Sequence, residues 1–177
     1  MGNIGSGKTL SMTRFGYVHY LKGYKVFANY HLEFPHEKVT PEFLEQIVKG
    51  EVDLTGNNIF LLDEIQMYID SRSSANKRNR IISYFIMQIR KKKIILCFTA
   101  QMEHTIDKRL RELCQNKIEC SIVDVKVKKE DGTLGVIKVS HNKHYVNDGY
   151  GMKELGNNYY LSQTWFKYYD TSELITA

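Results

Sequence analysis

Residues 1–14 read MGNIGSGKTLSMTR, and Gly2 to Thr9 carry the spacing G-x-x-x-x-G-K-[ST]. That spacing is the signature of a loop that cradles phosphate. Glycines at 2, 5 and 7 let the backbone turn tightly and bring its N–H groups close to a phosphate. Lys8 is spaced to put an ammonium on the β- and γ-phosphates, and the Thr9 hydroxyl to bind Mg²⁺. A helix opening near Gly7 adds its free amides and its positive end. The candidate nucleotide contacts are therefore Gly2, Asn3, Ile4, Gly5, Ser6, Gly7, Lys8, Thr9 and Leu10, and the implied ligands are ATP and Mg²⁺. Such a loop ordinarily joins a β-strand to a helix. Here the helix follows, but only Met1 stands before Gly2.

The second decisive stretch is NNIFLLDEIQMYID, residues 57–70. Ile59, Phe60, Leu61 and Leu62 form a short apolar run of the kind buried on both faces of a parallel sheet. It ends in Asp63-Glu64, and carboxylates at the carboxyl end of such a strand lie where open α/β sheets bind ligands. Asp63 is a candidate to hold Mg²⁺, directly or through water. Glu64 is a candidate to polarise an attacking water.

Around these two motifs the chain alternates. Residues 7–22 read as a helix with a stop at Gly23, and 25–32 as a strand with Asn29 near its end. Residues 40–50 carry a full set of helix signals, with Thr40 as cap, Pro41 at the first position and Gly50 at the stop. A long helix is expected over 73–92, with Ile81, Ile82, Phe85, Ile86 and Ile89 as its apolar stripe. A second buried strand is expected over 94–101, then a short basic helix over 105–114. The segments KIECSIVDVKVKK and LGVIKVSHN alternate about Glu130-Asp131-Gly132 and predict an antiparallel hairpin. Residues 147–158 are rich in glycine and asparagine and read as a loop. The expected fold is α/β: a mostly parallel, helix-covered sheet with an antiparallel hairpin extension. The missing element is a strand before the phosphate loop.

The 177 residues suit one domain with a sizeable core. No run of 18 apolar residues is present, so the sequence contains no transmembrane segment of that kind. Cys97, Cys114 and Cys120 show no metal or redox spacing, and with no secretion signal they fit a reducing cytoplasm. The formal net charge of +5 favours a polyanionic partner only weakly. Its clustering says more: Lys77, Arg78 and Arg80; Arg90 to Lys93; Lys108, Arg109 and Arg111.

Gln101 ends the strand after the Asp63-Glu64 strand. If those strands are neighbours, its amide faces the γ-phosphate or the attacking water and is a candidate sensor. Arg90 and Arg109 are candidates for a guanidinium supplied to a neighbouring subunit's γ-phosphate; Arg72, Arg78 and Arg111 compete for that role. The histidines show no metal spacing supported by other ligands; His141 and His144 come nearest. Tyr159, Tyr160, Trp165, Phe166, Tyr168 and Tyr169 read as docking and core contacts more than as base-stacking groups.

Taken together, GNIGSGKT, LLDE, the basic helix ending QIRKK, the strand ending FTAQ and the later IDKRLR resemble the FtsK–HerA group of DNA-pumping ATPases. Within it they are similar to the small viral genome-packaging ATPases and the zonula-occludens-toxin-like proteins of filamentous phages. The late WFKYYDTSELI resembles the segment those proteins carry after the ATPase core. The resemblance implies a RecA-like P-loop core over 1–146, with 147–177 docking on it. It implies a homo-oligomeric ring, usually a hexamer, with nucleotide between subunits and double-stranded DNA through the centre. Lys8 and Thr9 match the Walker A lysine and hydroxyl, Asp63 and Glu64 the Walker B pair, and Gln101 the polar sensor. A viral motor of this kind works in the host cytoplasm or at the virion, beside a capsid or membrane protein. Members of the group carry an apolar strand directly before the loop, so an upstream segment of roughly ten residues or fewer is expected. Without it the sheet is expected to hold an empty slot between neighbouring strands.

Three other readings stand beside the translocase. One is a phage assembly or secretion ATPase indifferent to DNA. Another is a small P-loop kinase or similar transferase, which needs no ring. The last is a nucleotide-binding protein that no longer hydrolyses, against which Glu64 argues.

Overall fold

The computed structural model describes residues 1–67, 77–92, 94–106, 108–130 and 132–170. A parallel sheet of four strands forms the centre. It is built from β1 (Lys25–Ala28), the two-residue β2 (Glu37–Lys38), β3 (Asn58–Leu62) and β4 (Ile95–Phe98), in the order β2-β1-β3-β4. Helix α1 (Lys8–Leu21) lies on one face; α2 (Pro41–Lys49) and α3 (Lys77–Lys91) lie on the other. The expected α/β class is therefore observed. The expected helix over 73–92 is described from Lys77, and its first four positions lie outside the described residues.

Alternation along the strands builds two cores. Phe27, Phe60 and Leu62 face Leu44 and Ile47 of α2 and Phe85, Ile86 and Ile89 of α3. Val26, Ala28, Ile59 and Leu61 face Met12 of α1. Phe60 stacks on Phe27 with ring centres 4.4 Å apart and meets Phe85 edge-on at 5.1 Å. Helix α2 starts on the Thr40 hydroxyl, which accepts from Phe43 N at 3.2 Å, and stops at Gly50.

Two strands are shorter than the sequence suggests. The 25–32 strand ends at Ala28, because the Asn29 side chain turns to bond the end of β3. The 94–101 strand ends at Phe98 and is half-buried, not buried, because β4 is the outer strand of the sheet. Cys97 of this strand is half-buried and packs against the core from its side. The expected empty slot is not inside this sheet, since its four strands pair in one continuous ladder.

After the short helix α4 (Lys108–Leu113), the chain forms a second sheet from β5 (Asn116–Lys128), β6 (Leu134–Asn147) and β7 (Met152–Leu161), antiparallel in that order. The expected hairpin is present, with a third strand added. The stretch 147–158 is a loop only to Gly151. From Met152 it pairs with β6, with a register irregularity beside Tyr145, and this ladder holds the asparagines that made the stretch look like coil. The sheet thus crosses the expected boundary at residue 146. The aromatic segment that follows lies on α1: Tyr17 meets Tyr168 at 4.6 Å and Trp165 at 5.9 Å, and Leu32 bridges to Tyr169.

Phe60 is fully buried between two rings. Phe60→Ala is expected to cost about 3–5 kcal/mol in urea unfolding. Leu134→Ala, at a position 75% exposed, is expected to change stability by less than about 0.5 kcal/mol.

Candidate functional site

The phosphate loop is held by the second sheet. Met1 N donates to Ile118 O at 2.7 Å, and Cys120 N donates to Met1 O at 2.8 Å, so Met1 lies along β5 as one parallel ladder step. Gly2, at φ 144°, passes so close that a Cβ there would meet Cys120 O at 2.6 Å and Ser6 Oγ at 2.5 Å. Gly7, at φ 82°, turns the chain into α1 against Ile122. Side chains at either position would push the loop off its support.

Inside the loop, Ser6 N bonds Asn3 O at 3.1 Å. Lys8 is buried, and its ammonium rests on the loop's own carbonyls, Gly2 O at 3.0 Å and Asn3 O at 3.1 Å. Among the described residues Ser6 Oγ is buried without a hydrogen-bond partner, and no side chain caps the first amides of α1. A lysine with only carbonyl partners, an unpartnered hydroxyl and uncapped helix amides are complementary to phosphate oxygens. Ile4 is 83% exposed at the rim of the loop. Leu10 is fully buried and anchors α1, so only its backbone is available to a ligand.

The loop meets the end of β3 through one bond: Thr9 Oγ1 donates to Asp63 Oδ2 at 2.9 Å. The Thr99 hydroxyl, just past β4, donates to Asp63 Oδ1 and accepts from Glu64 N at 2.9 Å. Asn29 grips the backbone of the same residue. Its Nδ2 donates to Asp63 O at 2.9 Å and its Oδ1 accepts from Asp63 N at 2.7 Å. Glu64 sits at φ 49°, the left-handed region that a residue with a Cβ rarely adopts. Its carboxylate accepts from Gln66 Nε2, on the 3₁₀ turn Ile65–Met67. Thr9 and Asp63 present a hydroxyl and a carboxylate oxygen side by side, the hard oxygen donors that suit Mg²⁺.

Lys8, Thr9, Asp63 and Glu64 therefore come together. Gln101 is exposed, three residues past the end of β4, and Thr99 makes the strand-end contacts to Asp63 and Glu64. β3 and β4 are neighbours, with Leu62 opposite Phe98. Arg90 lies on α3 and Arg109 on α4, and their side chains fall outside the described ones. Arg72 also lies outside the described residues. The sequence reading missed Asn29, Thr99 and Gln66, whose roles depend on strand order and a turn rather than on a motif. His141, on β6, stacks on Tyr159 at 4.6 Å. Among the described residues no group of three His, Cys, Asp or Glu side chains could hold a metal ion.

No protein-family model matches the sequence, and no curated protein matches it. Solved structures share its fold, which is that of P-loop NTPases. The N-terminal domain of zonular occludens toxin from Neisseria meningitidis superposes with a TM-score of 0.63 at 17% identity, covering 96% of each chain. The genome packaging NTPase B204 of Sulfolobus turreted icosahedral virus 2, solved in complex with ATP-gammaS, gives 0.56 at 11% identity, over 86% of this chain and 92% of that one. The flagellar accessory protein FlaH of Methanocaldococcus jannaschii gives 0.51 at 14% identity, over 90% and 82%.

Burial raises the pKa of Asp63 above its ordinary 3.8, and the Glu64 charge adds to this; the Thr99 and Thr9 hydroxyls and Lys8 pull the other way. The stability that protonated Asp63 contributes is complete below the unfolded value and is lost as pH rises through the raised folded value. Without divalent metal at pH 7, Asp63→Asn is expected to melt above the wild type, and the gap to close as pH falls toward about 4. Melting curves in EDTA across that range check the sign.

Proposed function

We propose that this chain is an ATP-hydrolysing motor of the FtsK–HerA group that moves double-stranded DNA, as in packaging a viral genome. The observation that carries the hydrolytic part is the junction of Thr9, Asp63 and Glu64, in which loop, metal-type ligands and candidate base meet on one strand end. The DNA part is supported by the fold shared with a packaging NTPase and by the basic clusters on α3 and α4.

The residues divide the work. Lys8 leaves its carbonyl partners for the β- and γ-phosphates, and the α1 amides take the remaining phosphate charge. Thr9 and Asp63 would hold Mg²⁺, which supplies positive charge against the phosphates when bound. Asn29 and Thr99 fix the Asp63-Glu64 backbone, so Glu64 can polarise water from a set position. Gln101 remains the proposed γ-phosphate sensor. Arg90 or Arg109 is the proposed guanidinium for a neighbouring subunit of a hexameric ring. Such a motor acts in the host cytoplasm or at the virion.

A second reading is an assembly or secretion ATPase of a phage. The fold shared over nearly the full length with the zonular occludens toxin domain favours it. No helix among the described residues is long and apolar enough to cross a membrane.

Steady-state ATP hydrolysis with and without linear double-stranded DNA separates the two. The motor predicts stimulation by DNA that weakens with salt, and a loss of about 100-fold or more in Glu64→Gln. Hydrolysis indifferent to DNA gives the lead to the assembly reading. A fully active Glu64→Gln overturns the role of Glu64.

A further inference from the structure

Gln66 stands two residues beyond the proposed base and belongs to neither motif. Its Nε2 donates to Glu64 Oε2, while its own Oε1 is buried with no hydrogen-bond partner among the described residues. A carboxylate only accepts, so the NH₂ end of the amide must face Glu64 and the carbonyl end must turn away. A buried carbonyl without a donor is costly, so its retention beside a catalytic-type carboxylate calls for a ligand-side explanation. The backbone leading into Gln66 is held: Glu64 N is bonded to Thr99 Oγ1 at 2.9 Å, Ile65 N to Thr99 O at 3.0 Å, and Ile65 is fully buried. Glu64 and Gln66 thus offer two acceptors to a molecule that can donate two protons.

We propose that Gln66 is a positioning residue for the hydrolytic water. This rests on the hydrolytic reading of Glu64. The Nε2–H bond holds Glu64 by Oε2 and leaves Oε1 to take one proton of the water. Gln66 Oε1 accepts the hydrogen bond of the other, which turns the lone pair of the water oxygen toward the γ-phosphorus. As that oxygen–phosphorus bond forms, the bond from the γ-phosphorus to the bridging oxygen breaks and ADP leaves with the electron pair. Glu64 holds one proton, and the second stays on the hydroxyl of the released phosphate.

The test measures kcat, KM, affinity for a non-hydrolysable ATP analogue and melting temperature, for the wild type, Gln66→Ala and Gln66→Glu. Gln66→Ala is expected to lower kcat about 10- to 100-fold with KM and analogue affinity within about twofold. Gln66→Glu has the same length but loses the Nε2 donor to Glu64, and it is expected to lower kcat at least as far as Gln66→Ala with analogue affinity within about twofold. A merely structural role would lower melting temperature and analogue affinity together with kcat. Wild-type kcat in Gln66→Ala, or a loss of kcat matched by an equal loss of analogue affinity, overturns the inference alone. A wild type that hydrolyses no ATP in any condition overturns the hydrolytic reading, and the role of Gln66 falls with it.

Discussion

The bond from Thr9 to Asp63, 2.9 Å long, is the contact on which the site depends. It joins the first turn of α1 to the carboxyl end of β3, two elements with no other reason to place a hydroxyl beside a carboxylate. The cost is a buried charge, and the surroundings are arranged around it. Two threonine hydroxyls donate to the carboxylate, and the Asn29 amide takes up both backbone polar groups of Asp63. Burial also raises Tyr169, from the docked aromatic segment, to about 12, and the charge of Asp63 contributes. The sheet order makes this possible, because β3 lies between β1, which leads to Asn29, and β4, which leads to Thr99.

The loop end of that bond is steadied from the other side. Ser11, one turn into α1, meets Tyr160 OH at 2.6 Å, and Asn142 donates to Ser11 Oγ at 3.0 Å. Arg14, a turn further, lies over the rings of Tyr160 at 4.8 Å and Trp165 at 5.6 Å. The antiparallel sheet is therefore not an appendage. It bears on the helix that carries Lys8 and Thr9.

Much of this was legible in the sequence. The glycine spacing at 2, 5 and 7, with Lys8 and Thr9, and the apolar run into Asp63-Glu64 report local chemistry, and local chemistry survives folding. The Thr40, Pro41 and Gly50 signals placed α2 for the same reason. What escaped were pairings between distant segments. Asn29 looked like a strand residue because nothing nearby shows that its amide is drawn to Asp63. Thr99 gave no signal of its own because the contacts of a strand end depend on which strand lies beside it. Met152–Leu161 looked like coil because asparagine and glycine are poor strand formers; the β6 ladder overrides that preference.

The central claim is that loop and strand end form one metal-dependent nucleotide site. Calorimetric titration of ATP into the protein, with Mg²⁺ and with EDTA, in the wild type and in Thr9→Val, tests it most directly. The account predicts one nucleotide per chain, affinity that falls at least about tenfold without Mg²⁺, and little Mg²⁺ dependence left in Thr9→Val. Equal affinity in all four titrations would contradict it.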